Sequence, residues 1–138
     1  MPLLQVELTD TEPTDQQRTR LQSGLTRLMA DVLRKRADLT VVHISAATGS
    51  HWFRGGQPLT RGQWCASLVV HVTAGTNTPQ EVSAFIEAAH SLFCEILDGP
   101  PSAPVYIVIN EIPASNWGYD GRTQLARREA SIAAAAGG

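Results

Sequence analysis

Thr14-Asp15-Gln16-Gln17 and Thr78-Pro79-Gln80-Glu81 carry the same signal, roughly 64 residues apart. Each is a capping box: a threonine hydroxyl accepts from the backbone three residues on, and the Gln or Glu found there reaches back. Pro79 stands at the first helical position, where its missing N–H is no loss. Behind the first copy, Leu21, Leu25, Leu28, Met29, Val32 and Leu33 recur at helical spacing and predict an amphipathic helix from about Thr14 to Arg36. Arg34, Lys35 and Arg36 then fall in its last turn, where cations suit the helix dipole. Behind the second copy, Val82, Phe85, Ile86, Ala89, Phe93, Ile96 and Leu97 form a matching stripe, which Asp98 to Pro104 breaks.

Each helix has a strand on either side. Before the first, Leu4, Val6 and Leu8 alternate with Leu3, Gln5 and Glu7. After it, Leu39 to Ala46 is rich in β-branched residues. Trp64 to Thr73 and Val105 to Glu111 flank the second helix in the same way. Gln5-Val6-Glu7-Leu8-Thr9 answers to Val69-Val70-His71-Val72-Thr73, and Ser50-His51-Trp52 to Ser115-Asn116-Trp117. The chain is therefore a duplicated strand–helix–strand unit, with pseudo-repeats over 2–62 and 63–122. A helix crossover makes the strands within each unit parallel. The expected fold class is α+β, a four-stranded mixed sheet with two helices on one face. It forms a single domain over 1–122, followed by a C-terminal tail over 123–138 whose Ala-rich end, Ser131 to Gly138, reads as a frayed helix or disordered. Val41 and Val69 place apolar side chains on the face without helices, so a symmetric homo-oligomer is expected.

Composition narrows the function. The chain has 138 residues, 43% of them apolar, and a formal net charge of -2. Its Lys and Arg are scattered, which argues against nucleic acid. No apolar run is long enough for a bilayer, and no leader pattern opens the chain, so a cytoplasmic protein is expected. Cys65 and Cys94 have no metal-spaced partners, and His43, His51, His71 and His90 form no ligand motif, so neither a metal nor a cofactor is expected.

The Met-Pro start, the duplicated unit and the Gly-rich segments His51-Trp52-Phe53-Arg54-Gly55-Gly56 and Asn110 to Gly118 resemble the tautomerase superfamily. The resemblance is 4-oxalocrotonate tautomerase-like. Its fused length is similar to that of macrophage migration inhibitory factor and cis-3-chloroacrylic acid dehalogenase. The resemblance implies a trimer and a cofactor-free isomerase in which Pro2, freed by removal of Met1, is the catalytic amine. A free α-amino group titrates near about pH 8, and burial or nearby cations lower it, so the amine can act as a general base between carbon and oxygen. Nothing stands where Pro2 would recur except Ala66 or a neighbour, so one site per chain is expected.

The partners of Pro2 depart from the family pattern. The two family arginines fall on Glu12-Pro13 and His43, or on Gly75-Thr76-Asn77 and Tyr106 in the second unit. The arginines of the dehalogenases fall on Val72 to Gly75. By resemblance, Tyr106 is a second catalytic residue donating to the carbonyl oxygen. Lys35, Arg54, Asn116 and Trp117 are substrate-binding, with Trp52 a weaker alternative. The plain readings of the same residues are a dipole-complementing Lys35, a buried strand Tyr106 with its hydroxyl satisfied, a solvated Arg54 and hairpin-anchoring tryptophans. The expected substrate is a small carboxylate, a 2-oxo or 2-hydroxy acid. Two alternatives stay open. One is hydration or dehalogenation of a 3-substituted acrylate, with Pro2 as acid and Glu111 activating water. The other is a non-catalytic oligomeric member of the fold.

Overall fold

In the computed structural model, residues 2–9, 12–47, 51–59 and 62–137 are described. They form β1 (Leu3–Thr9), α1 (Asp15–Asp31), β2 (Val41–Ala47), the hairpin β3 (Phe53–Arg54) and β4 (Gln57–Pro58), β5 (Cys65–Thr73), α2 (Pro79–Ile96), β6 (Tyr106–Ile112), the hairpin β7 (Gly118–Tyr119) and β8 (Arg122–Thr123), and α3 (Gln124–Ala136). The main sheet has the order β2-β1-β5-β6. β1 and β2 are parallel, β5 and β6 are parallel, and β1 runs antiparallel to β5. This is the expected mixed sheet built from two units.

Both capping boxes form. The Thr14 and Thr78 hydroxyls accept from Gln17 N and Glu81 N at 3.0 and 3.1 Å, and the Gln17 and Glu81 side chains accept from the threonine N–H groups. The backbone N–H of Thr78 also holds the Glu81 carboxyl below the usual carboxylate range.

One face of the sheet carries the core. Leu4, Val6, Leu8, Leu68, Val70 and Val72 are buried against Leu21, Leu25 and Met29 of α1 and Phe85, Ala89 and Phe93 of α2. Each such Leu or Phe withdrawn from water contributes roughly 1.5–3 kcal/mol. The two helices cross closely at Gly24, where a Cβ would lie 2.7 Å from Leu92 Cδ2. That contact accounts for a glycine in mid-helix.

The other face has no helix. Register places Val41, Leu3, His71 and Asn110 in one row across it, and His43, Gln5, Val69 and Val108 in the next. Val41, Val108 and Tyr106 are exposed there. Gln5 Oε1 lies 2.9 Å from His71 Nε2, and Asn110 Nδ2 lies 3.1 Å from His71 Nδ1.

Two elements differ from the sequence expectation. α1 ends at Asp31 rather than near Arg36, so its last turn holds no basic residue. Arg34 takes the left-handed conformation, φ 58, and the Lys35 N–H turns back to the Met29 carbonyl at 2.9 Å. This closure is usually made by glycine, and its absence hid the stop. Lys35 is thereby released from the helix, and a dipole role no longer describes it. Second, the tail holds a full helix, α3, which begins at Gln124, ahead of the Ala-rich end for which a frayed helix is one of the two readings. Thr123 caps α3 by accepting from Ala126 N at 3.0 Å. Among the described residues, no helix is long and apolar enough to cross a membrane.

Candidate active site

Pro2 immediately precedes β1. It is buried, and its carbonyl accepts from Val41 N at 3.1 Å. Because β5 runs antiparallel to β1, Pro2 meets the end of β5, at Val72 and Thr73. Here the helix-covered face opens into a pocket of about 320 Å³. Its walls come from four further places: Lys35 and Leu39 after α1, Thr76 after β5, Trp117 and Tyr119 of the second hairpin, and Gln124, Arg127 and Arg128 of α3.

A network fixes the Lys35 wall. Lys35 Nζ donates to Thr76 Oγ1 at 2.7 Å, and that hydroxyl donates to the Thr73 carbonyl at 2.7 Å. Asn77 Nδ2 ties the same turn to the Leu33 carbonyl at 2.9 Å. Burial of the ammonium pushes the Lys35 pKa down, and the carboxylates of Glu81 and Glu111 pull it partly back. Trp117 is held as firmly, since its Nε1–H donates to Thr73 Oγ1 at 3.2 Å. The Asn116 N–H to Pro113 carbonyl bond and the Leu125 N–H to Ala114 carbonyl bond fasten the hairpin and the start of α3 to the end of β6.

Of the sequence candidates, Pro2, Lys35 and Trp117 converge on this pocket. Asn116 lies beside it, in a shallower hollow of the β7–β8 hairpin. Arg54 and Trp52 lie at the opposite end of the sheet, because β2 runs parallel to β1 and carries its hairpin away from Pro2. There Arg54 Nη1 donates to the Ser102 carbonyl at 3.2 Å. Tyr106 starts β6 at that far end, on the uncovered face and 68% exposed. It is an outward strand tyrosine and not the buried aromatic of its plain reading. Within one chain, neither Arg54 nor Tyr106 meets Pro2. His43 is exposed on the uncovered face. Glu111 is close enough to act on Lys35 but does not line the pocket.

Sequence reasoning missed Arg127 and Arg128. They lie on α3, which the sequence reading leaves as a tail. The available signal was Thr123 as an N-cap followed by thirteen residues rich in Ala, Arg, Gln and Glu, all strong helix formers. Among the described residues, the pocket lining contains three cationic side chains and no carboxylate.

A family model described as tautomerase enzyme matches residues 2–61 and 68–124. The chain belongs to the tautomerase family. Solved tautomerase structures share the fold over nearly the whole chain. A wild-type fused 4-OT described as an asymmetric trimer matches with a TM-score of 0.79 and 24% identity, over 91% of this chain and 98% of that one. Pt0534 inactivated by 2-oxo-3-pentynoate matches with a TM-score of 0.77 and 20% identity, over 91% and 98%. A member of the cis-3-chloroacrylic acid dehalogenase family matches with a TM-score of 0.71 and 21% identity, over 86% and 82%. No curated protein sequence matches this tautomerase chain.

Proposed function

We propose that this tautomerase is a cofactor-free isomerase that moves a proton between carbon and oxygen in a small 2-oxo or 2-hydroxy acid. The observation that carries the reading is the pocket itself: Pro2 lines a cavity whose charged side chains, Lys35, Arg127 and Arg128, are all cationic. Removal of Met1 leaves Pro2 as a secondary amine on a rigid ring. Burial and three nearby cations all disfavour its protonated form, so the free base is favoured at neutral pH.

For an enol acid, the amine accepts the hydroxyl proton and the same proton is returned to the carbon two bonds away. Atoms and charge balance without any cofactor. Negative charge that builds on the oxygen is met by the Lys35 ammonium, which its bond to Thr76 holds in place. Trp117, Leu39 and Val72 supply apolar walls that suit a flat, conjugated substrate.

The uncovered sheet face supports assembly. Its exposed Val41, Tyr106 and Val108 are assigned to contacts between copies of the chain, in a trimer like those described for fused 4-OT proteins. In such an assembly Tyr106 would serve a neighbouring pocket and not its own. Ketonisation of 2-hydroxymuconate and phenylenolpyruvate tests the reading. The native protein turns over at least one of them, and Pro2→Ala loses most of that rate. Equal rates in the two proteins, or Met1 found intact by mass spectrometry, would contradict it.

A further inference from the structure

The three cations of the Pro2 pocket are held differently. Lys35 has a fixed hydroxyl partner in Thr76. Arg128 is exposed. Arg127 is half-buried, and its guanidinium lies 3.7 Å from the Tyr119 ring centroid, in stacking contact. Its Nη2–H donates to the Tyr119 carbonyl at 3.0 Å. Its Nε is buried and has no hydrogen-bond partner. No carboxylate neutralises Arg127: it has no ion pair among the described residues, whereas Arg18, Arg20, Arg34 and Arg36 each have one. A guanidinium stacked on a ring, pinned at one nitrogen and otherwise unpaired, is rigid and short of acceptors. A planar carboxylate is the ligand whose geometry matches such a fork.

We propose that Arg127 is the substrate-binding residue that takes the carboxylate in the Pro2 pocket, with α3 and the Tyr119 ring serving to present it. The proposal rests on the proton-transfer reading and names its substrate class as monocarboxylic acids with an apolar, conjugated body. The carboxylate sits on the α3 wall. The reacting carbon faces Pro2, and the oxygen beside it is left to Lys35. α3 is then part of the site and not an appendage to the sheet.

Binding of cinnamate, a flat carboxylate that cannot tautomerise, tests this by calorimetry, with cinnamamide as its uncharged counterpart. The native protein binds cinnamate saturably and cinnamamide at least tenfold more weakly. Arg127→Ala lowers cinnamate affinity by roughly tenfold or more, as expected for loss of a charge-assisted bidentate pair. Arg127→Gln, which keeps the length of the side chain, does the same, so a defect in α3 packing is separated from loss of charge. Arg127→Lys restores part of the affinity. Pro2→Ala binds cinnamate within about threefold of the native protein, since uniform binding does not need the base. Native affinity in Arg127→Ala, or equal affinity of the native protein for cinnamate and cinnamamide, overturns the Arg127 assignment and leaves the proline chemistry intact. Loss of cinnamate binding in Arg127→Ala and Arg127→Gln upholds that assignment even where Pro2→Ala turns substrate over at the native rate, a result that removes the proline mechanism alone.

Discussion

The two units of the chain end in two pockets built from equivalent walls. In one, Val72, Thr73 and Thr76 face Pro2. In the other, Leu8, Thr9 and Glu12, their counterparts in the repeat, face Trp64 in a cavity of about 260 Å³. There Trp64 is 4% exposed and its Nε1–H donates to the Gly99 carbonyl at 2.7 Å, so an indole occupies the space beside the strand start. Among the described residues, the charged side chains of this second pocket are Glu12 and Asp98. Ala66, the second residue of β5, stands where the first unit has its proline. Duplication has preserved the scaffold twice and the pocket lining once: Pro2 and α3 line the first pocket, and among the described residues the second has no counterpart of either.

The asymmetry can be broken at several depths. Pro2→Ala replaces the rigid secondary amine by a flexible primary one and should lower ketonisation by up to about 10²- to 10⁴-fold, the range for a positioned general base. Circular dichroism and the unfolding midpoint should be unchanged. Trp64→Ala acts on the other pocket and does the reverse. It should cost roughly 3–5 kcal/mol in denaturant unfolding by leaving a cavity, while turnover per folded molecule stays native.

Two matched substitutions sharpen the comparison further. Thr9 Oγ1 is buried and has no hydrogen-bond partner, whereas its counterpart Thr73 Oγ1 receives the Trp117 indole N–H. Thr9→Val, nearly isosteric, should stabilise the fold by about 1 kcal/mol because it removes an unsatisfied buried hydroxyl. Thr73→Val should destabilise it by about 0.5–1.5 kcal/mol and raise KM, since Trp117 loses its anchor. The same sign in both would show that the two threonines sit in equivalent environments.

The smallest effect concerns Lys35. Its pKa in the fold is lowered by burial, so the unfolded chain keeps the proton at pH values where the folded chain has released it. Stability rises with pH wherever the unfolded state binds more protons. Native protein should therefore gain stability relative to Lys35→Met as pH climbs from the lowered value to the ordinary lysine value. The gain should be under about 1 kcal/mol, because the half-exposed group is screened by solvent. Denaturant midpoints at neutral pH and at about pH 10 measure the difference.

The sheet and its two helices were legible because each rests on local chemistry repeated twice. Thr14 with Gln17 and Thr78 with Glu81 mark the helix starts, and the alternation of Leu4, Val6 and Leu8 marks a face. The helix stop at Asp31 was not legible, because Arg34 adopts a left-handed turn that sequence rules assign to glycine or asparagine. Of the site, Pro2, Lys35 and Trp117 could be named from the family resemblance, and the fold brings them to one end of the sheet. Arg54 and Tyr106 could not be placed, because parallel pairing sends both to the far end of their own chain. Arg127 escaped because α3 has no buried residues, and a helix without a core-facing stripe looks like a tail.

The central claim is a single proline-based site per chain. Mass spectrometry after treatment with 2-oxo-3-pentynoate, the reagent that inactivates the structurally similar Pt0534, tests it most directly. The amine adds to the electrophilic alkyne and the adduct stays attached to the nitrogen. The account predicts one adduct per chain, mapped to Pro2 and accompanied by loss of ketonisation. A second adduct per chain, an adduct on another residue, or full activity in chains labelled at Pro2 would contradict it.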